Sequence, residues 1–341
     1  ENYYYVYNKL SKAVYKDILN RKISKALESA GNNFDEGIKQ LYFNPVIALK
    51  YFFSGLKHLI PFQDQLLIMK DPNNPSEYIN VDLVLRKNIE DLLSNITLTA
   101  LNKNMRTSLG KGLPLSLGLK THYTSSNGKL IDLNELPVLL KFTVGTGSLV
   151  GKITSDKYGN VHSTIQKLSE IQNHYQIKAE LDMLSFTGED EIGKYLFSEL
   201  KGIGIPTTFI DIEVTPITIF LLSDEKSLGK TLNNPLVTPI VIKSLEEKLN
   251  AIFINDQNDA DYTLDIRIDT KKRGEAYSLF SSVAQMSIYV KDGENILFAN
   301  NFNDIKGTHT DYEKASRGAL SNLAEKVEKE FSDEIVKQIL D

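Results

Sequence analysis

At about Ile96 the spacing of apolar residues changes from a period near 3.6 to a period of 2, so the chain cannot be one helical bundle or one sheet. Before the change, Tyr3, Val6, Tyr7, Leu10, Val14, Ile18 and Leu19 recur at helical spacing. That pattern runs through Ala26 and Leu27 to Gly31-Asn32-Asn33, where the helix is expected to break. Asn44-Pro45 reads as an N-cap followed by proline in the first turn. The helix it opens has Val46, Leu49, Phe52, Phe53, Leu56 and Leu59 on one face, and Pro61 ends it. Ala48, Phe52, Gly55 and Leu56 have the spacing of the second helix of a tetratricopeptide repeat, without a tandem copy. Residues 71–75 form a loop and residues 78–94 another helix.

After the change, Ile96–Leu101, Leu115–Leu119, Pro137–Val144, Val161–Ile165, Tyr175–Leu181 and Thr207–Val214 read as strands, with turn signals between them. This grammar predicts an immunoglobulin-like β-sandwich. Residues 186–204 fit no element of it. The last third reads differently. A strand at 217–222 is followed by a helix with Thr238 as cap and Pro239 in its first turn. Strands at Tyr262–Asp269, Ala284–Val290 and Asn295–Phe302 come next, with Asp292-Gly293 as a hairpin turn. Thr310-Asp311-Tyr312-Glu313 fits a capping box. The closing helix is expected to carry Leu320, Leu323, Ala324, Val327, Phe331 and Ile335 on one face. The expected order is β-α-β-β-β-α.

A chain of 341 residues exceeds one ordinary core. The expected fold class is multidomain α+β: a helical segment at 1–95, an immunoglobulin-like β-sandwich at 96–215 and an α/β sandwich module at 216–341. The net charge of −5, with its acidic excess in the last third, excludes a polyanion-binding surface of nucleic-acid type. The chain has no cysteine, which excludes disulfides, thiolate catalysis and cysteine metal sites within it. No apolar run approaches the roughly 20 residues that span a bilayer.

The motifs that touch on chemistry are weak. Gly229-Lys230-Thr231 follows an apolar strand, as in a phosphate-binding loop, but the first glycine of that loop would fall at residue 224, which is Asp. Glu225 follows it, and the next helix starts too late to point its N-terminus at a phosphate. A solvated loop is the expectation. Gly145-Thr146-Gly147 is expected to be a turn, glycine serving positive φ. No two of His58, His122, His162, His174 and His309 lie within four residues of each other, so no metal site is expected. Asp211 with Glu213, and Asp265 with Arg267 and Asp269, share strand faces, which are expected to be the solvent side of a sheet. A glycosidase would need such a pair across a cleft. Glu189-Asp190-Glu191 is expected to be a solvated acidic turn rather than a calcium loop. Tyr3-Tyr4-Tyr5 and Tyr7 cover more than one helix face, which leaves both an interface and packing on the sandwich open.

The segments Asn44–Leu56, Pro137–Phe142, Asp156–Val161, Ala260–Leu264, Leu297–Gly307 and Asp311–Ala315 together resemble a group of bacterial envelope proteins. In these, an LPP-twenty-type lipoprotein domain precedes a helical segment, an immunoglobulin-like sandwich and an α/β module. The last module is also similar to the α/β modules of curli-secretion and flagellar-assembly lipoproteins and to the TolB N-terminal domain. The resemblance implies a periplasmic, outer-membrane or cell-surface location and lipid anchoring through a cysteine upstream of Glu1. It further implies a non-enzymatic scaffold or assembly role, through contacts with envelope proteins or through self-association. It carries over no catalytic, cofactor-binding or metal residue. The alternative is a glycan- or peptidoglycan-acting enzyme, or a glycan-binding module, using the carboxylates on the sheet faces.

Overall fold

Ser11 opens α1 (Lys12–Gln40) by accepting the Val14 amide. The computed structural model describes residues 11–71, 74, 76–108, 113–169, 172–200 and 202–330. Tyr3, Tyr4, Tyr5, Val6, Tyr7, Leu10, Phe331 and Ile335 lie outside these described residues. The helix passes Gly31-Asn32-Asn33 without the expected break. Ala30 and Phe34, on either side, are buried against α2 (Pro45–Leu59), and the rings of Phe34 and Phe52 lie 6.2 Å apart. That packing outweighs the poor helix propensity of Gly and Asn. Asn44 caps α2 by accepting the Ile47 amide. A small ribbon, β1 (Ile68–Lys70) and β2 (Tyr78–Asn80), follows, and then α3 (Val81–Asn95). The helix expected from residue 78 thus begins at 81, because Tyr78–Asn80 pair with β1 and Asn80 takes the cap.

The next strands are β3 (Ile96–Ala100), β4 (Asn104–Ser108), β5 (Leu115–Thr124), β6 (Leu130–Asp132) and β7 (Pro137–Val144). They continue with β8 (Gly147–Leu149), β9 (Lys152–Thr154), β10 (Asn160–Leu168) and β11 (His174–Leu181), and with β12 (Thr207–Thr215) after two short helices. They form two sheets. One has the order β3-β5-β10-β8 with β6 beside β5, and the other β4-β12-β11-β7-β9. All neighbours are antiparallel except β4 and β12. Leu117, Leu119 and Ile165 of the first sheet, and Tyr175, Ile177 and Ile212 of the second, alternate with more exposed residues and join one apolar core.

The segment 186–204, unplaced by periodicity, holds the end of α4 (Leu184–Thr187) and all of α5 (Glu191–Glu199). Both pack on α2: Phe186 lies 5.8 Å from Phe53 between ring centroids. Lys57 Nζ reaches Asp190 Oδ2 at 3.3 Å, and Gln63 donates to the Tyr195 hydroxyl at 2.6 Å.

The third sheet uses β13 (Thr218–Ser227), β14 (Lys230–Thr231), β15 (Ile252–Ile254), β16 (Tyr262–Ala276), β17 (Leu279–Asp292) and β18 (Asn295–His309). Helix α6 (Thr238–Leu249) follows β14, and α7 (Tyr312–Glu330) follows β18. The strand order is β14-β13-β16-β17-β18 with β15 beside β13; β13 runs parallel to β15 and β16, and the other pairs are antiparallel. Three details differ from the sequence reading. The β17–β18 turn sits on Gly293-Glu294, one residue late, because Asp292 pairs with Asn295. Asp311 rather than Thr310 caps α7, accepting the Lys314 amide at 2.8 Å. Thr238 is inside α6 rather than its cap. The strands also run further than their periodicity shows, since pairing persists beyond the region that has a core to face.

Candidate functional site

Along β16, even-numbered residues face α7. Thr270 and Ser316 of α7 share a hydrogen bond of 2.6 Å between their hydroxyls, and Leu264, Ile266 and Ile268 precede Thr270 in register. The odd-numbered residues Asp265, Arg267 and Asp269 therefore lie on the opposite face, where the period of 2 puts them. Asp265 is nonetheless buried, not solvated as expected, because its neighbours wrap it. Arg267 Nε and Nη2 donate to its two oxygens at 3.2 and 3.1 Å, and Lys291 Nζ donates at 3.1 Å. Burial opposes ionisation of Asp265, but the hydrogen bonds and charges of Arg267 and Lys291 together outweigh it and hold the carboxyl below its ordinary value. Asp269 accepts the amides of Gly229 and Thr270 at 3.0 and 2.7 Å.

That contact also disposes of the Gly-Lys-Thr stretch. Strand β13 runs on to Ser227, Leu228 and Gly229 turn with φ of 52° and 79°, and β14 pairs back on β13. The stretch is solvated, as expected, but as a tight hairpin, and its glycine amide already holds a carboxylate. Gly145 has φ of 76°, and a Cβ there would meet Tyr175 at 2.2 Å, so the turn reading of that stretch stands.

Asp211 and Glu213 line an open cleft of about 580 Å³ with Arg106 and His174. Both are engaged: Arg106 Nε reaches Glu213 at 2.8 Å, while Gln176 and His174 reach Asp211 at 2.9 and 3.5 Å. A second cleft of about 540 Å³ gathers His162, Ser163, Asp182 and Ser185. These are the residue types of a nucleophilic triad, but Ser185 donates to Asp182 and Ser163 to the Val150 carbonyl, each at 2.8 Å. Neither hydroxyl is held by the imidazole that would activate it. Asp190, expected in a solvated turn, caps α5 by accepting the Gly193 amide at 2.6 Å. That bond and Lys57 hold its carboxyl below the ordinary value. His309 bonds to Thr310, and among the described residues no group of three or more His, Asp and Glu could hold a metal ion. No described helix is long and apolar enough to cross a membrane.

At the far end of the third sheet, residues 271–279 are all exposed. Strand β18 is the outer strand of that sheet, paired only with β17 among the described residues. Its line is broken by register shifts opposite Ala284–Met286 and Val290–Lys291, and Asp304 has φ of 57°. Beyond that bulge, residues 305–309 pair with β17 in continuous register, and Asn322 of α7 donates to the Lys306 carbonyl at 2.9 Å. The sequence reading stopped at Asp269 on one strand and resumed at Ala284 on the next, so it missed this hairpin end. The signal available was the basic run Lys271-Lys272-Arg273 before an exposed tyrosine.

No family model and no curated protein matches this chain. Among solved structures, it is similar to a hypothetical protein from Chlamydia trachomatis, with a TM-score of 0.26 and 9% identity, over 37% of this chain and 98% of the other. It is also similar to adhesin InvE of Yersinia pseudotuberculosis, with a TM-score of 0.22 and 11% identity, over 62% of this chain and 59% of that one. The D0–D1 domain of intimin gives a TM-score of 0.20 and 12% identity, over 58% of this chain and 66% of that one. At these TM-scores the likenesses identify neither a family nor an activity.

Proposed function

We propose that this chain is a non-enzymatic bacterial cell-envelope protein, lipid-anchored through an upstream segment, that acts as a scaffold or assembly factor by protein–protein contacts. In this reading residues 1–95 are a helical support, residues 96–215 an immunoglobulin-like sandwich and residues 216–341 the module that presents the contact surface. The observation that carries it is the exposed end of the β16–β17 hairpin, residues 271–279, beside β18, the outer strand of the sheet among the described residues. Unpaired backbone groups on a sheet edge accept a partner strand. By contrast, the candidate acid–base carboxylates Asp211, Glu213, Asp265 and Asp269 each satisfy a neighbouring cation, amide or imidazole. A glycosidase pair must face each other across a cleft, whereas the Asp265 carboxylate is buried against Arg267 and Lys291.

Crosslinking in bacterial cells, followed by sizing of the purified complexes, tests the reading. Specific envelope adducts through the β18 edge are expected. A strict monomer without an envelope adduct sinks it.

A further inference from the structure

Near its end the β16–β17 hairpin turns on Tyr277-Ser278, with φ of 51° and 59°. Both residues occupy the left-handed region, where a two-residue turn ordinarily uses Asn or Gly. Tyr277 is 100% exposed, so no packing within the described residues compensates for its strain. Phe280 and Ser282 face α7, the first meeting the Tyr312 ring edge-on with centroids 4.7 Å apart and the second donating to the Tyr312 carbonyl at 3.5 Å. Leu279 and Ser281 therefore face the other way. With Gly274, Ala276 and Thr308 beside them they leave a groove of about 380 Å³.

Charged side chains also line this groove. Arg273 and Lys306 both line it, and neither side chain has an ion-pair partner among the described residues. Glu275 is the one carboxylate in the lining. The Ser281 hydroxyl oxygen lies beneath the groove, out of solvent, and makes no hydrogen bond. A buried hydroxyl without a partner is costly, and few native groups are left so.

We propose that this groove binds a carboxylate side chain on an acidic, otherwise apolar peptide segment of a partner protein. Arg273 and Lys306 take the carboxylate, Leu279 and the Tyr277 ring take its apolar neighbours, and Ser281 turns its hydroxyl to the bound oxygen. Two cations against one carboxylate leave a single positive charge, which matches a monoanion better than a phosphate. The outer edge of β18 lies alongside: Asn322 of α7 takes the Lys306 carbonyl at 2.9 Å, and the other edge-facing main-chain groups of residues 305–309 offer hydrogen bonds that a peptide can use in register. The assignment rests on the protein-interaction reading above.

The test is an isotope-edited titration of the full chain with three probes. These are an acetylated, amidated hexapeptide with one glutamate between valines, its glutamine twin, and sodium glucuronate. The glutamate peptide is expected to shift the amides of Gly274, Ser281 and Lys306. Its binding is expected to weaken about tenfold in the glutamine twin and in Arg273→Gln/Lys306→Gln, the loss of a charge-assisted bond. Equal binding of the twins, indifference to the double substitution, absence of shifts at millimolar peptide, or tighter binding of glucuronate each overturns the proposal. Crosslinks of the unaltered chain in cells test the interaction reading separately. Their absence sinks that reading, whereas peptide binding indifferent to Arg273 and Lys306 sinks the groove alone.

Discussion

The Glu225 carboxylate receives the Thr238 hydroxyl at 2.9 Å and the Thr238 amide at 3.1 Å, tying β13 to the first turn of α6 across 13 positions of sequence. It also accepts the amides of Leu236 and Val237, at 2.7 and 3.1 Å. Helix α6 has no side-chain cap from its own N-cap residue, Val237, so this remote carboxylate satisfies the amides that a helix start leaves open. Its negative charge also suits the positive end of the helix dipole.

Glu225→Ala is expected to lower stability by about 3 kcal/mol, because charge-assisted bonds vanish and buried amides lose their acceptor. Glu225→Gln keeps one acceptor oxygen and is expected to cost about half as much. Urea unfolding of both variants checks the order. A midpoint unchanged in the alanine variant would show that these amides find another acceptor.

Asp265 makes part of the stability depend on acid pH. Its folded carboxyl ionises below the ordinary value, so its contribution is present above the unfolded value of about 3.9 and is lost as pH falls through the lower, folded one. Asp265→Asn is therefore expected to flatten the fall in stability below about pH 4 while lowering stability near neutrality. Denaturant midpoints from pH 2 to pH 7 check it. Parallel curves for the two proteins would remove Asp265 from this role.

The Tyr262 phenol behaves in the opposite sense. Burial first, and then the charges of Asp261 and Asp292, push it up to about 12. The neutral phenol is the form that the fold favours, so this contribution is intact below the unfolded value of about 10 and is lost as pH rises toward 12. Ultraviolet titration is expected to show a tyrosine ionising late, and Tyr262→Phe should remove that step. A late step that survives the substitution assigns it to another tyrosine.

Gly307 of β18 lies against α7 so closely that an added Cβ would sit 2.2 Å from the Ala319 amide and 2.3 Å from the Ala315 carbonyl. Both are backbone atoms, so the helix must move as a whole. Gly307→Ala is expected to cost about 2–3 kcal/mol, the upper range for overpacking. Thermal unfolding checks it, and a cost near zero would mean that α7 can shift freely on the sheet.

Replacing Tyr277-Ser278 by Asn-Gly relieves two left-handed residues at the tip of an exposed hairpin. Stability is expected to rise by about 1–2 kcal/mol, measured by urea unfolding. The same change should weaken binding of the glutamate hexapeptide, since the ring above the groove is gone. Higher stability with unweakened binding would show that Tyr277 takes no part in the site.

Periodicity alone located most helices and strands, because each is amphipathic and its own residues report the face it buries. Asn44 capping α2 and the apolar face of α7 through Val327 were legible for that reason. The ends of elements were not. Helix α1 crosses Gly31-Asn32-Asn33 because α2 packs beside it, and residues 270–283 pair as a hairpin although Tyr277-Ser278 carries no ordinary turn signal. Pairing of acidic and basic residues was also hidden. Asp265 looked like a solvent-facing strand position until Lys291, 26 positions later, came alongside it.

What the sequence by itself determined is the succession of amphipathic elements and the change from helical to alternating period, both local consequences of side-chain spacing. Only the tertiary structure decided which polar groups are satisfied and which are left open. Glu225 meets Thr238 and α5 meets α2 through contacts that no local pattern encodes. Arg273 and Lys306, 33 positions apart, become neighbours of one groove only because β16, β17 and β18 pair in a particular register.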